Sequence, residues 1–307
     1  MDAEHDVLVL GGGVAGLSAA IYCGRAMLKT LVIERLGAGG QVLNTLDIDN
    51  YPGFPHGVTG PEIASRFEQQ ARRFGAEIQY DEIKGVQLKG DVKVVEGAAR
   101  TYTARAVIIS TGGRNRQLGV PGERELAGKG VSYCAVCDAN FFRGQDVVVV
   151  GGGDAAIDEG LYLAGIVNKV TVVHRRDQLR ASPILQQRAF AEPKMTFLLS
   201  HVVERILGEN MVTAVQVKDL KTDRSYEYPA AGVFVYIGFV PNTDLFRGQI
   251  GLNGLGQIVT DINMATDVPG VFACGDVRQH SYRQMGTAVG DGITAALSAY
   301  HYLQERR

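Results

Sequence analysis

Short apolar runs that end in glycines recur along the chain. Val7–Leu10 runs into Gly11-Gly12-Gly13, Val147–Val150 into Gly151-Gly152-Gly153, and Arg105–Gly113 (RAVIISTGG) and Val233–Gly238 repeat the pattern. Continuous apolar character over four or five residues predicts strands buried on both faces, as in a parallel sheet. Laid over one another at an offset of 140, Val7–Arg35 and Val147–Arg175 match at ten of 29 positions without a gap. Each copy reads as strand, glycine turn, helix and second strand, which is a βαβ unit. Near the C-terminus VPGVFACGDV (Val268–Val277) predicts one more strand, and residues 284–303, rich in small and apolar side chains, predict a long helix.

The glycine turns suit pyrophosphate binding. Gly11, Gly13 and Gly16 in the first copy, and Gly151, Gly153 and Ala156 in the second, allow a tight turn and close approach of backbone to a charged ligand at a helix N-terminus. The competing reading is a turn that only packs helix on strand. The ends of the second strands separate the copies. Glu34, 23 residues after Gly11, accepts hydrogen bonds from ribose hydroxyls and repels a 2′-phosphate. The matching position is His174, followed by Arg175, Arg176 and Arg180, an anion pocket suited to NADP(H). A solvated basic face is the alternative there.

The second βαβ unit lies inside the sequence of the first domain. The expected organisation is α/β, with two Rossmann-like dinucleotide-binding domains, the second inserted into the first. The boundaries read as 1–113 with 242–307 for the first, and 114–241 for the second, with hinges at Gly112-Gly113 and Pro241-Asn242. Asp276 falls at the C-terminal edge of a strand, where ligands of open α/β sheets bind, or else caps a turn.

Composition removes other classes. The 31 basic and 33 acidic residues nearly cancel, which argues against nucleic acid as the main partner. The 39 glycines in 307 residues are nearly twice the usual share and cluster beside apolar runs. No run reaches the length of a membrane span. The first apolar stretch is flanked by Asp2, Glu4 and Asp6, the wrong charge for a signal peptide. Four cysteines are too few for a secreted disulfide scaffold, so a cytoplasmic setting is expected. Cys23 and Cys274 sit in apolar elements and read as core. Cys134 and Cys137, in CAVCD, can share one side of a helical turn and close a small reducible ring, with Asp138 placed to carry the proton. Half of a zinc site is the competing reading, though no second CxxC exists. No metal is expected.

The ordered set GGGxAG, GGQ (Gly39–Gln41), NYPG (Asn50–Gly53), CxxCD, GGGD, HRRxxxR, FACGD and YRQ resembles the low-molecular-weight, bacterial-type thioredoxin reductases over nearly the whole chain. The resemblance implies a homodimeric flavoenzyme that passes hydride from NADPH through FAD to a Cys134–Cys137 disulfide, with Asp138 as acid–base, and on to thioredoxin. It carries FAD contacts to Gly11, Gly13, Ala15, Gly16, Glu34, Gly40, Gln41, Asn50, Ile83, Thr111, Gly112, Asp276, Arg283, Gln284 and Met285. It carries NADPH contacts to Gly151, Gly153, Asp154, Ala156, His174, Arg175, Arg176 and Arg180. Val136, Ala139, Ala155 and Met285 depart from the family's usual residues. Relatives that use ferredoxin or flavodoxin lack either the cysteine pair or the arginines. A nucleotide-binding redox sensor is the reading from another class.

Overall fold

The computed structural model describes residues 3–44, 48 and 50–306; Asp2 lies outside them. In chain order the elements are β1 (His5–Leu10), α1 (Val14–Arg25), β2 (Thr30–Glu34), α2 (Gly60–Arg73), β3 (Glu77–Tyr80), β4 (Ile83–Gln87), β5 (Lys93–Gly97), β6 (Thr101–Ile109) and β7 (Gly113–Asn115). There follow β8 (Val131–Ser132), α3 (Ala135–Asp138), β9 (Asp146–Val150), α4 (Asp154–Ala164), β10 (Lys169–His174), α5 (Pro183–Ala191) and β11 (Met195–Leu199). The chain closes with β12 (His201–Leu207), β13 (Ala214–Asp219), β14 (Arg224–Pro229), β15 (Gly232–Val235), β16 (Phe239–Pro241), β17 (Val271–Ala273) and α6 (Met285–Gln304). Two compact units result, Met1–Arg114 with Val240–Arg307, and Asn115–Phe239.

The first unit is built on a parallel sheet in the order β3-β2-β1-β6, extended by β17 beside the end of β6 and by the antiparallel pair β4-β5 beside its start. Helices α1 and α6 cover one face, and the core residues Leu17, Ala19, Ala295 and Ala299 are fully or almost fully buried there. Small side chains on both helices let their backbones approach, and a side chain on Gly292 would run into the carbonyl of Ala15. The opposite face buries Leu8, Leu10, Val107 and Ile109.

The second unit repeats the plan in the order β11-β10-β9-β15-β8, with a three-stranded antiparallel layer β12-β13-β14. The internal repeat survives to the level of register. Val7 pairs with Thr30 and Val9 with Val32; at the same offset of 140, Val147 pairs with Val170 and Val149 with Val172. In both units four parallel strands follow the Rossmann-like order 3-2-1-4, β3-β2-β1-β6 in the first and β11-β10-β9-β15 in the second. The long C-terminal helix expected from residue 284 starts at Met285. No helix among the described residues is long and apolar enough to cross a membrane.

Candidate functional site

Three groups of residues gather at strand ends, one in the first unit and two in the second. In the first unit Gly11 stands at φ +106°, and a Cβ there would lie 2.5 Å from the Ser110 carbonyl oxygen. Only glycine meets both conditions. The next peptide, Gly12 N–H, donates to Glu34 Oε2 at 2.7 Å, while Oε1 takes the N–H groups of Arg35 and Leu36. The carboxylate is thus held at the mouth of the turn. Gly39 returns its N–H to the Gly12 carbonyl at 2.7 Å, and a Cβ on Gly40 would come within 3.0 Å of the Gly13 Cα. The floor of this groove is bare backbone.

The remaining first-unit candidates group around the same edge. Gln41 Nε2 donates to the Gly113 carbonyl at 3.0 Å, and Asn50 Nδ2 to Gln284 Oε1 at 3.4 Å. Gly112 adopts φ +58° with open space where a side chain would stand, and its carbonyl receives Asn242 N–H at 3.0 Å, beside Thr111. Ile83 opens β4, just after Asp81, whose N–H donates to the Glu34 carbonyl. Asp276 lies in a short helical turn after β17, not at a helix cap, and accepts from Ser281 at 3.4 Å. Burial pushes its carboxyl above the usual range, against the opposing pull of Arg283. Arg283 itself has φ +54°, a strained conformation typical of functional edges, and Met285 begins α6.

An ion pair that the sequence pattern did not single out fixes this edge. Asp291, on α6, takes a two-pronged contact from Arg278 (2.7 Å at each oxygen) and also the Gly275 N–H at 3.1 Å. It therefore clamps the Gly275-Asp276 turn to the helix. Its only sequence signal is an acid in an otherwise small and apolar helix face. Asp291→Ala leaves the Arg278 charge unpaired in a site where both side chains are at most 15% exposed. The expected cost is ~3–5 kcal/mol, seen as a melting temperature lower by roughly 10 °C.

The second unit offers the counterpart of the Glu34 turn. Gly151 has φ +151°, and Gly152 lies under the His174 ring, so closely that any side chain there would collide with it. His174 thus occupies the position that Glu34 holds in the first copy. Ala156 stands where the first copy has Gly16, on which a Cβ would run into the Gly11 carbonyl; the Ala156 methyl lies 2.8 Å from where a Cβ on Gly151 would stand. The loop after β10 folds back on the turn: Arg180 and Ala181 N–H donate to the Gly152 carbonyl, and Ser182 N–H to Asp154 Oδ1. Arg175, Arg176 and Arg180 are exposed, and form no ion pair among the described residues. Burial, then the charges of Arg180, Arg176 and Arg175, lower the His174 pKa. Its Nε2 is buried without a hydrogen-bond partner among the described residues.

The third group is the redox turn. Cys134 and Cys137 are joined by a disulfide, with Cα atoms 5.3 Å apart. The two sulfurs are bonded to each other, and no group of three or more His, Cys, Asp or Glu side chains gathers as a metal site among the described residues. Cys137 N–H donates to Cys134 Sγ at 3.2 Å. Two hydroxyls anchor the turn from neighbouring strands. Ser132, on β8, donates to Asp138 Oδ2 at 2.6 Å and accepts Cys134 N–H at 3.1 Å. Tyr236, just past β15, accepts Ala135 N–H at 2.5 Å. Cys23 and Cys274 are free and buried in the core of the first unit; burial pushes the Cys23 thiol up to about 12 and raises that of Cys274 as well.

Residues 5–292 match the pyridine nucleotide-disulphide oxidoreductase family. A thioredoxin reductase of Peptoclostridium acidaminophilum is 47% identical, over 99% of this chain and 98% of its own. The crystal structure of thioredoxin reductase from Streptococcus pyogenes MGAS5005 is 46% identical, covers 98% of both chains and superposes with a TM-score of 0.94. The chain belongs to the thioredoxin reductases. A second structure, Lactococcus lactis thioredoxin reductase in its FR conformation, is 42% identical over 98% of this chain and all of its own, with a TM-score of 0.68.

Thioredoxin reductases are flavin oxidoreductases that use FAD and NADPH. The residues present fit both groups. The bare glycine floor beside Glu34 admits a dinucleotide backbone but leaves no room for added side chains. Three guanidiniums that form no ion pair among the described residues are donor capacity of the kind a phosphate satisfies, and they lie beside the His174 ring, whose Nε2 has no partner among those residues.

Proposed function

We propose that this thioredoxin reductase takes hydride from NADPH in its second unit and delivers the electron pair to the disulfide of a thioredoxin through Cys134 and Cys137. In this reading Met1–Arg114 with Val240–Arg307 is the FAD domain, and Asn115–Phe239 the NADPH domain. Glu34 receives the ribose of FAD, and Asp276, Gln284 and the start of α6 face its ring system. His174, Arg175, Arg176 and Arg180 receive the 2′-phosphate of NADPH. The observation that carries the reading is a partly exposed, disulfide-bonded CxxC just after β8, at the edge of the second unit's parallel sheet.

When bound, FAD accepts hydride from NADPH and supplies two electrons to a disulfide. The chain's own residues do the rest. The electron pair breaks the Cys134–Cys137 bond, leaving one thiolate and one sulfur that takes a proton from Asp138. Ser132 holds that carboxyl beside the sulfurs. The thiolate attacks a partner disulfide to form a mixed disulfide and expels one partner thiolate; the second sulfur, losing its proton back to Asp138, resolves it and expels the other, and the two partner thiolates take their protons from water. Val136, 39% exposed between the cysteines, and Phe141, 55% exposed just beyond them, offer an apolar landing for a protein surface.

Both the NADPH-recognising arginines and the redox pair lie on the second unit, and both have to serve the flavin of the first. The crossings at β7 and β16 therefore act as a swivel. We assign the protein to the cytoplasm as a homodimer. Thioredoxin reduction followed through NADPH absorbance tests the activity. A cross-link joining the two units is expected to abolish turnover; full turnover in the cross-linked protein would refute the swivel.

A further inference from the structure

We infer that Tyr236, seated on Glu159, is a positioning residue that keeps the Cys134–Cys137 couple strongly reducing. This rests on the reading of that pair as the redox centre. Tyr236 touches both functional groups of its unit. Its N–H donates to the Val150 carbonyl at 2.8 Å, and its own carbonyl oxygen lies where a Cβ on Gly151 would be 2.5 Å away, so its backbone is wedged against the glycine turn. Its side chain runs under the redox turn, where the hydroxyl accepts Ala135 N–H at 2.5 Å and donates to Glu159 Oε2 at 3.4 Å. Burial and the neighbouring Glu159 hold the phenol above its ordinary pKa, so the hydroxyl keeps its proton.

The consequence is electrostatic. Reduction by two electrons breaks the sulfur–sulfur bond, one sulfur taking a proton and the other keeping a thiolate charge. Backbone N–H groups around such a turn stabilise the thiolate, and a stabilised thiolate makes the couple more oxidising. Here Cys137 N–H is already given to Cys134 Sγ, but Ala135 N–H, on the residue next to that sulfur, is given to Tyr236 instead. The Tyr236 proton points at Glu159 and not at sulfur, and Glu159 adds a carboxylate behind it. Both effects raise the free energy of the dithiol state. That is the direction needed by a pair whose task is to reduce another protein's disulfide.

The test equilibrates the flavin-loaded wild type, Tyr236→Phe and Glu159→Gln anaerobically in graded dithiothreitol buffers. Free thiols are then alkylated, and the reduced fraction of the Cys134–Cys137 peptide is read by mass. Tyr236→Phe is expected to favour the dithiol about tenfold, a midpoint ~30 mV less negative for a two-electron couple. Glu159→Gln keeps an acceptor for the hydroxyl but loses the charge, and moves the midpoint the same way by a smaller amount. A merely structural Tyr236 would lower thermal stability without moving the midpoint. An unchanged or more negative midpoint in Tyr236→Phe overturns the inference; if that variant does not fold, the same result in Glu159→Gln does so. A wild-type pair that no dithiothreitol ratio reduces overturns the redox-centre reading and the inference with it.

Discussion

Replacing Cys137 by serine is expected to lower NADPH-driven reduction of thioredoxin by roughly 10³-fold or more, while NADPH still bleaches the flavin. The reason is covalent. Electrons leave this chain only by thiol–disulfide exchange, and a serine hydroxyl neither accepts electrons from a flavin nor forms a mixed disulfide with a partner. No other sulfur stands in. Cys23 and Cys274 are buried in the first unit, with thiols held protonated by burial. Cys134→Ser behaves in the same way. The check is parallel: turnover with thioredoxin, and rapid-mixing absorbance of the flavin, on the same preparation. Retained thioredoxin reduction in either variant removes the pair from the electron path.

The second large effect concerns the nucleotide. In Arg175→Ala/Arg176→Ala, KM for NADPH is expected to rise by roughly 10²-fold, while the same parameter for NADH changes little. Charge-assisted contacts contribute about 1.5–3 kcal/mol each, and two guanidiniums are removed. These arginines are exposed and form no ion pair among the described residues, so their loss leaves no buried charge behind and the fold is unaffected. His174 remains, with its unpartnered Nε2, which is why the preference is weakened and not inverted. Initial rates with each nucleotide, at fixed flavin content, give the comparison. Equal losses with NADPH and NADH would mean that the arginines serve the common part of the nucleotide or only solubility.

Much of this architecture is local and so legible in the sequence. Glycines that must adopt left-handed backbone, such as Gly11, and unbroken apolar strands such as Val147–Val150 need no distant partner to be recognised. The internal repeat is legible for the same reason, and its offset reappears as identical strand pairing in both sheets. The opposing characters of Glu34 and His174 are also local, since each ends a strand at a fixed distance from its glycine turn.

What the sequence hides is contact at a distance. Tyr236 meets Ala135 across 101 residues, and it looks like any aromatic at the end of a strand. Asp291 and Arg278 are separated by 13 residues and a loop, so no helical spacing announces their pairing. Ser132 lies close to Asp138, but its double contact depends on where β8 ends in the sheet. Gly12 and Gly152 were legible as glycines but not as the seats of Glu34 and His174, which follow from the stacking of strand ends. These residues tune and clamp sites that local motifs already mark.

The central claim is that a flavin in the first unit and a sulfur pair in the second form one electron path fed by NADPH. Anaerobic titration of the purified wild-type protein with NADPH tests it most directly, with flavin absorbance recorded and cysteines trapped at each point. The expected result is loss of the yellow colour accompanied by two new thiols per chain, both at Cys134 and Cys137. A protein that is colourless and takes up no flavin, or one whose flavin bleaches fully with the disulfide left intact, would contradict it.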